Sequence, residues 1–187
     1  MLRQPELAAT LERLGQEGHR GFYAGPVARA LIQSVNEAGG VWQPDDLAQY
    51  RVIEREPLRF QYRGATITTV TLPSAGGIAL EQCLQMLERL GSVDARAPKE
   101  AHFVVEALRR AFHDRARYLG DPGFVAVPVE RLVSSAHAAR LAASINPDAA
   151  TPSEALGPEV PAPAGVNTTH LSVIDSAGNR VAATVTI

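Results

Sequence analysis

Residues 168–187 have the sequence TTHLSVIDSAGNRVAATVTI. Apolar and polar side chains alternate from Thr169 to Asp175 and again from Arg180 to Ile187, as they do in half-buried strands. The four residues between these segments include Gly178 and favour a turn, so the stretch predicts a β-hairpin. Because a two-stranded hairpin is not stable alone, we expect it to pair with strands from the first half of the chain or from outside this sequence.

A proline-rich segment precedes the hairpin. Five of the 13 prolines fall between Pro147 and Pro163, and this segment contains no aromatic residue. Such a composition is typical of a linker. We therefore predict three parts: a region of helices and strands over residues 1–146, a linker over residues 147–167, and the hairpin over residues 168–187.

Upstream of the linker, apolar residues recur at helical spacing in several segments. The sequence predicts helices over residues 7–14, 26–35, 80–90, 98–119 and 129–145, a short helix that begins at Pro44, and a strand pair over residues 51–72 that turns at residues 62–64. On the helix over residues 98–119, the predicted buried face contains Ala101, Val104, Val105, Leu108 and Phe112 and leaves out Glu106, Arg109 and Arg110. The predicted fold class is therefore α+β, with helices layered on a sheet.

Composition and charge exclude several classes of protein. The chain has 187 residues, 45% of them hydrophobic, and a net charge of −2 without a basic run, so we expect a globular chain and no nucleic-acid partner. No apolar stretch is long enough to span a membrane. The single cysteine, Cys83, has no internal disulfide partner, and the histidines show no metal-ligand spacing. We predict neither a metal nor a cofactor.

Thr168 is the residue with the most specific chemistry. A threonine hydroxyl is a weak nucleophile, but a threonine at an amino terminus carries its own base, because its free α-amine has an ordinary pKa of about 7.7–8.0. Thr168 gains such an amine only if the bond between Asn167 and Thr168 is cut. Without that cut it is a threonine at the start of a strand, where a β-branched side chain is favoured.

Several segments of the chain form an ordered set of motifs. The most specific are DRARYLGDP at residues 114–122 and TTHLSVID at residues 168–175. The others are GFYAG at residues 21–25, Gly39-Gly40, DLAQY at residues 46–50, YRG at residues 62–64 and PSAGG at residues 73–77. With these motifs, nearly the whole chain resembles the γ-glutamyltranspeptidase family of N-terminal-nucleophile hydrolases, apart from Ala75, where the family usually has a serine.

The resemblance implies a self-processing enzyme. The family cuts itself in front of the first threonine of the second motif, which corresponds to the bond between Asn167 and Thr168. The freed Thr168 would take a γ-glutamyl group from glutathione or a related donor and pass it to water, an amino acid or a peptide. Thr186 corresponds to a second threonine that supports the nucleophile by a hydrogen bond. The implied fold is part of a four-layer αββα sandwich, and the implied parent is periplasmic or secreted, although this sequence carries no signal peptide.

The resemblance also implies a central fragment, truncated at both ends, that covers the end of the large subunit and the start of the small subunit. The family's substrate-clamping arginine would lie upstream of it, and the glycines of the oxyanion hole downstream. Loss of a single oxyanion donor costs about 10²–10³ in rate, so we expect the unprocessed fragment to have little activity of its own. The incomplete sheet leaves self-association open.

Two alternatives remain open for the function. One is a catalytically silent scaffold or interaction module, and the other is a relative that acts on another acyl donor, such as a cephalosporin side chain or polyglutamate.

Structural roles are expected for the remaining polar residues of the motifs: Asp114 and Arg115 as a solvated pair, Asp121 as a turn former, Ser74 as a helix cap, and His170 as a strand residue.

Overall fold

The computed structural model describes residues 3–91, 97–158 and 168–186, and its contacts divide the chain into two compact units, Met1–Glu54 and Arg55–Ile187. Helices predominate and short antiparallel strands accompany them, so the predicted α+β class is confirmed. The division of the sequence at residues 146 and 167, which was drawn from composition and resemblance, stays a prediction.

The first unit contains only helices among its described residues. They are α1 (Pro5–Glu17), α2 (His19–Tyr23), α3 (Gly25–Glu37) and α4 (Pro44–Ala48). Three of them carry a proline in the first turn, where the missing N–H has no helical partner to lose. The sequence predicted α1, α3 and α4 but not α2, because a helix of five residues is too short to show a hydrophobic period.

The second unit contains all of the described strands. In chain order it has β1 (Leu58–Tyr62), β2 (Ala65–Thr69), α5 (Gly76–Arg89), α6 (Pro98–Tyr118), α7 (Val129–Leu132), α8 (Ser135–Ala143), a 3₁₀ helix (Ser153–Leu156), β3 (Thr168–Ile174) and β4 (Arg180–Thr186). β1 pairs with β2 in antiparallel fashion around the predicted turn. These strands are shorter than the predicted segment of residues 51–72, since residues 51–57 have no partner strand in the described part of the chain.

The predicted hairpin of β3 and β4 is confirmed. Of the two expected arrangements for its further strand partners, the structure excludes one. Within the described ranges, β3 and β4 pair only with each other, and β1 and β2 do the same. The hairpin therefore does not extend the sheet of the first half of the chain, which was one of the two expected arrangements.

The core of the second unit lies between α5, α6 and α8. Its buried members are Ala79, Cys83, Met86, Phe103, Ala107, Ala111, Ala142 and Ile145. A second cluster, formed by Leu72, Ile78 and Leu132, joins the chain after β2 to α5 and α7. Because full burial of a large aliphatic side chain contributes about 1.5–3 kcal/mol, these two clusters are the main source of stability in this unit.

The predicted buried face of α6 is wrong. Three of its predicted members are exposed instead: Val105 is 54% exposed, Leu108 43% and Phe112 53%. The residues that are buried include Phe103, Ala107 and Ala111 and, with them, Glu106 and Arg110. Small side chains let α6 approach α5 closely, so the contact follows the alanines and not the bulkier apolar stripe beside them.

Asp114 is buried, not solvated as predicted. Its Oδ2 accepts hydrogen bonds from Nε2 of Gln82 at 2.9 Å and from Nε2 of His137 at 2.5 Å. The contact between Arg140 and Nδ1 of His137 measures 2.7 Å, and since a guanidinium can only donate, Nδ1 accepts and the ring proton shared with Asp114 belongs to Nε2. The role of Asp114 is structural, because this cluster ties α5, α6 and α8 together.

The segment of residues 73–77 leads into α5 without the predicted cap. The N-cap residue is Ala75 and makes no side-chain hydrogen bond to the helix, so the assignment of Ser74 as the cap is wrong. The segment instead brings α5 close to the backbone that leaves β2. A Cβ atom at Gly77 would lie 1.9 Å from the carbonyl oxygen of Val70, so this approach requires a glycine.

Glu81 makes the stability of the fold depend on pH above the usual carboxyl range. The residue is 6% exposed, and its Oε2 has no hydrogen-bond partner among the described residues. Burial raises the pKa of Glu81 above 4.5, and the hydrogen bond from Gln85 opposes this only in part. Because the folded pKa is raised, the contribution of Glu81 to stability is full below the unfolded pKa and is lost as the pH rises through the folded pKa.

Glu81→Gln should remove this loss. We expect the free energy of unfolding in urea to fall less between about pH 5 and about pH 7 in the variant than in the parent, because the amide has no charged form to bury. Glu12→Gln is the control, since Glu12 is exposed on α1, and it should follow the parent. An equal pH dependence in Glu81→Gln and the parent would contradict the assignment.

Candidate active site

The turn of the hairpin fixes how its two strands pair. Oδ1 of Asp175 accepts hydrogen bonds from the backbone N–H groups of Ala177 at 2.9 Å and Asn179 at 2.8 Å, and Oδ2 accepts one from Nδ2 of Asn179 at 2.7 Å. These bonds, above all the one from the Asn179 side chain, lower the pKa of Asp175. Gly178 has the positive φ of +83° that this turn requires. Because the turn sets the register, it determines which residues meet at the far end of the hairpin.

The register brings Thr168 and Thr186 side by side. Pairing runs from Ile174 opposite Arg180, beside the turn, to Thr168 opposite Thr186 at the open end. Thr168 is exposed. The structure thus places two of the three predicted site residues at neighbouring backbone positions. Asn167, the third, lies outside the described residues.

His170 is held by hydroxyl groups on both of its ring nitrogens. Nδ1 lies 2.8 Å from Oγ1 of Thr184 across the hairpin, and Nε2 lies 3.1 Å from Oγ of Ser172 on the same strand. One of these nitrogens donates and the other accepts in a neutral ring. A histidine with both nitrogens engaged in this way orients the strands better than it serves as a base, so the geometry favours a structural role.

Cys83 is not placed to act as a nucleophile. It is buried in the core between α5 and α6, and burial raises the pKa of its thiol to about 11. The reactive thiolate is therefore scarce at neutral pH.

In residues 3–91, 97–158 and 168–186, no group of three or more His, Cys, Asp and Glu side chains is arranged to hold a metal ion. Nor does any helix in those ranges combine the length and the apolar character needed to cross a membrane.

A second polar cluster joins α6 to the linker, and its charged residues, Glu106, Arg109 and Arg110, were predicted to lie off the buried face of α6. The Glu106 side chain is 1% exposed. Its Oε1 accepts hydrogen bonds from Arg109 Nη1 at 2.7 Å and from the backbone N–H of Thr151 at 3.2 Å. Its Oε2 accepts one from Arg110 Nη1 at 2.6 Å and one from the Thr151 hydroxyl at 2.5 Å. All of the carboxylate's hydrogen-bonding capacity is therefore used inside the protein.

The hydrogen bonds keep Glu106 ionised in spite of its burial. Burial alone would raise the pKa of Glu106, but the hydrogen bonds from Thr151, Arg110 and Arg109 outweigh it and lower the pKa to about 2. Because the folded pKa is lowered, its contribution to stability is present above about 4.5 and is lost as the pH falls towards 2. The sequence signal for this cluster was an acidic residue three and four positions before two arginines on the same helix.

The helices and antiparallel strands match those of solved N-terminal-nucleophile hydrolases. The structure of γ-glutamyltranspeptidase from Pseudomonas nitroreducens, complexed with L-DON, aligns with a TM-score of 0.78 at 42% sequence identity, over 84% of this chain and 48% of that chain. The family model for γ-glutamyltranspeptidase matches residues 1–187. The chain therefore belongs to the γ-glutamyltranspeptidase family, as the sequence motifs implied.

Two curated relatives bear names of different activities. The glutathione hydrolase proenzyme of Pseudomonas aeruginosa is 40% identical over 98% of this chain and 33% of its own length. The acylase ACY 1 proenzyme of a Pseudomonas strain, SE83, is 39% identical over 100% of this chain and 33% of its own length. The chain thus spans about a third of the length of the curated relatives that it matches.

Proposed function

We propose that this chain carries the self-cleavage site and the threonine nucleophile of a γ-glutamyl hydrolase and transferase. The observation that carries the proposal is the position of Thr168 as the exposed first residue of β3, in register with Thr186 on β4. Membership of the γ-glutamyltranspeptidase family and the proenzyme names of its relatives support it.

The first reaction is self-cleavage. Oγ1 of Thr168 attacks the carbonyl carbon of Asn167 and loses its proton, the bond from that carbon to the Thr168 nitrogen breaks, and the nitrogen takes up a proton. An ester between Asn167 and the Thr168 oxygen results. Water then hydrolyses this ester, which leaves a carboxylate on Asn167 and a free hydroxyl and α-amine on Thr168.

The second reaction is acyl transfer from a small γ-glutamyl compound. The freed α-amine of Thr168 accepts the hydroxyl proton while Oγ1 attacks the γ-carbonyl carbon, and it returns the proton to the departing amine. The γ-glutamyl ester on Thr168 is then transferred to water or to an amino acid or peptide amine. Thr186 is the residue proposed to support Oγ1 by a hydrogen bond, because it is the register partner of Thr168.

A second candidate function is acyl transfer from a different donor. The 39% identity to a relative named an acylase favours it, since that identity nearly equals the 40% found with the glutathione hydrolase. Both candidates use the same nucleophile, so only substrate choice separates them. Release of a chromophore from a γ-glutamyl anilide, measured against hydrolysis of a cephalosporin side chain, distinguishes the two.

Self-cleavage gives the direct test of the proposal. Incubation of the purified protein should convert one band on a gel into two, and amino-terminal sequencing of the smaller product should begin Thr-Thr-His-Leu, the sequence at residues 168–171. A chain that stays intact, or a new terminus at any other residue, would refute the proposed site and favour the silent scaffold.

A further inference from the structure

The edge of β3 that faces away from β4 meets no other strand in the described part of the chain. β1 and β2 pair with each other, and all seven residues of β3 are exposed. The outer edge of a strand presents backbone N–H and C=O groups, and these form a template on which another strand can pair. The edge of β3 is therefore a candidate interaction surface.

The turn of the hairpin shows which backbone groups form this edge. In an antiparallel pair, hydrogen bonds join the two strands at every second residue. The N–H of Asp175 donates to the carbonyl oxygen of Asn179 at 3.1 Å, so the bonded positions on β3 are the odd-numbered residues. The N–H and C=O groups of His170 and Ser172 lie between those positions, and they point away from β4.

The side chains of β3 do not oppose pairing at this edge. Exposed strand edges are usually protected by charged side chains, by proline or by a bulge. The segment Thr168–Ile174 contains no Asp, Glu, Lys, Arg or Pro, and it pairs with β4 without a break in register. The other edge of the hairpin begins with Arg180, so a strand that approaches β4 meets a positive charge. β3 is the more favourable edge.

A second copy of β3 fits this edge. Two seven-residue strands pair along their whole length in antiparallel direction when their middle residues, Leu171, lie opposite each other. His170 then lies opposite Ser172 of the second copy, so the outward N–H and C=O groups of both residues find partners. The pairing brings no like charges together, and the two Leu171 side chains meet, which removes apolar surface from water.

We propose that β3 is an interface between two copies of this chain, paired in antiparallel direction about a two-fold axis at Leu171. The two hairpins then form one four-stranded sheet, which is more stable than a two-stranded hairpin alone. The contact uses the same surface on both copies, as in most symmetric dimers. It does not depend on cleavage at Thr168, so it stands apart from the proposed function.

Leu171→Cys tests the position of the axis. At a non-hydrogen-bonded position, opposite residues have their Cα atoms about 4.5 Å apart, within the span of about 4.4–6.8 Å that a disulfide bridges. Under mild oxidation, the purified variant should migrate on a non-reducing gel at twice the 20.0 kDa of one chain. Val181→Cys is the matched control, because Val181 is 59% exposed against 56% for Leu171 but lies on β4. It should stay at 20.0 kDa. Both variants are made together with Thr168→Ala, so that the chain stays whole.

Ser172→Pro tests the backbone hydrogen bonds. Proline is tolerated on an edge strand where its N–H would face away from the sheet, so the hairpin should persist while the edge loses a donor. In sedimentation velocity, the parent should approach twice the mass of one chain as its concentration is raised. Ser172→Ala, which keeps the N–H, should do the same, and Ser172→Pro should remain a single chain.

Three results would overturn the inference. Equal cross-linking of Leu171→Cys and Val181→Cys would show that the copies collide without this pairing. Absence of cross-linking in both would show that they do not meet at β3. Association of Ser172→Pro as strong as that of the parent would show that the edge hydrogen bonds are not used. None of these results bears on cleavage at Thr168, which is measured separately.

Discussion

Thr168→Ala should stop self-cleavage and acyl transfer together. The substitution removes the oxygen that attacks Asn167 in the first reaction and the γ-glutamyl carbonyl in the second. Removal of a catalytic nucleophile typically lowers the rate by far more than a thousandfold, and we expect self-cleavage to slow by at least about a thousandfold here. The appearance of the Thr168 terminus, followed by mass spectrometry, and the release of chromophore from a γ-glutamyl anilide measure the two losses separately.

Two neighbouring substitutions make this result specific. Thr168→Ser keeps a hydroxyl beside the same α-amine, so it should still be cut. Thr169→Ala lies one position further along β3, where side chains point to the opposite face of the strand, and should be cut at close to the parent rate. Equal self-cleavage in Thr168→Ala and the parent would exclude Thr168 as the nucleophile.

The part of the molecule that the sequence predicts best is the hairpin. Its register depends on local features, namely the alternation of residues in β3 and β4 and a turn in which Asp175 and Gly178 have defined roles. A local pattern is complete within the sequence, so it can be interpreted without knowledge of the rest of the fold. The placement of Thr168 opposite Thr186 follows from it.

The buried face of α6 was not predictable in the same way. Two stripes, one of bulky apolar residues such as Phe112 and one of alanines such as Ala107, both have helical spacing. Which one is buried depends on how closely α5 approaches, and that distance is set by residues far away in the sequence. The burial of Glu106 depends on Thr151, 45 positions later, so the local pattern indicated a solvated charge.

The segment of residues 73–77 shows the same limitation. Its composition indicated a helix cap at Ser74, since serine before a helix usually has that role. Its actual constraint is the distance between Gly77 and the backbone of Val70, which a sequence pattern does not report. The two glycines look equivalent in the sequence, and the structure makes them different.

Of the two glycine-to-alanine substitutions possible in α5, Gly77→Ala should destabilise the fold more. Its Cβ would lie 1.9 Å from the carbonyl oxygen of Val70 and 2.9 Å from Cγ2 of Thr69. A backbone oxygen cannot move aside as the end of a flexible side chain can, so α5 must shift away from the strand pair. Overpacking costs typically 1–3 kcal/mol, and we expect about 3 kcal/mol or more here, measured as the free energy of unfolding in urea.

Gly76→Ala is the matched control, one position earlier in the same helix. The atom nearest to its added Cβ would be Oγ of Ser74 at 3.7 Å, which is an ordinary contact. Alanine also restricts the unfolded chain, so Gly76→Ala should leave stability unchanged or raise it by about 0.4–1 kcal/mol. Equal stability of the two variants would show that α5 does not approach Val70 this closely. The presence of two glycines at this point would then have to be explained by their backbone conformation.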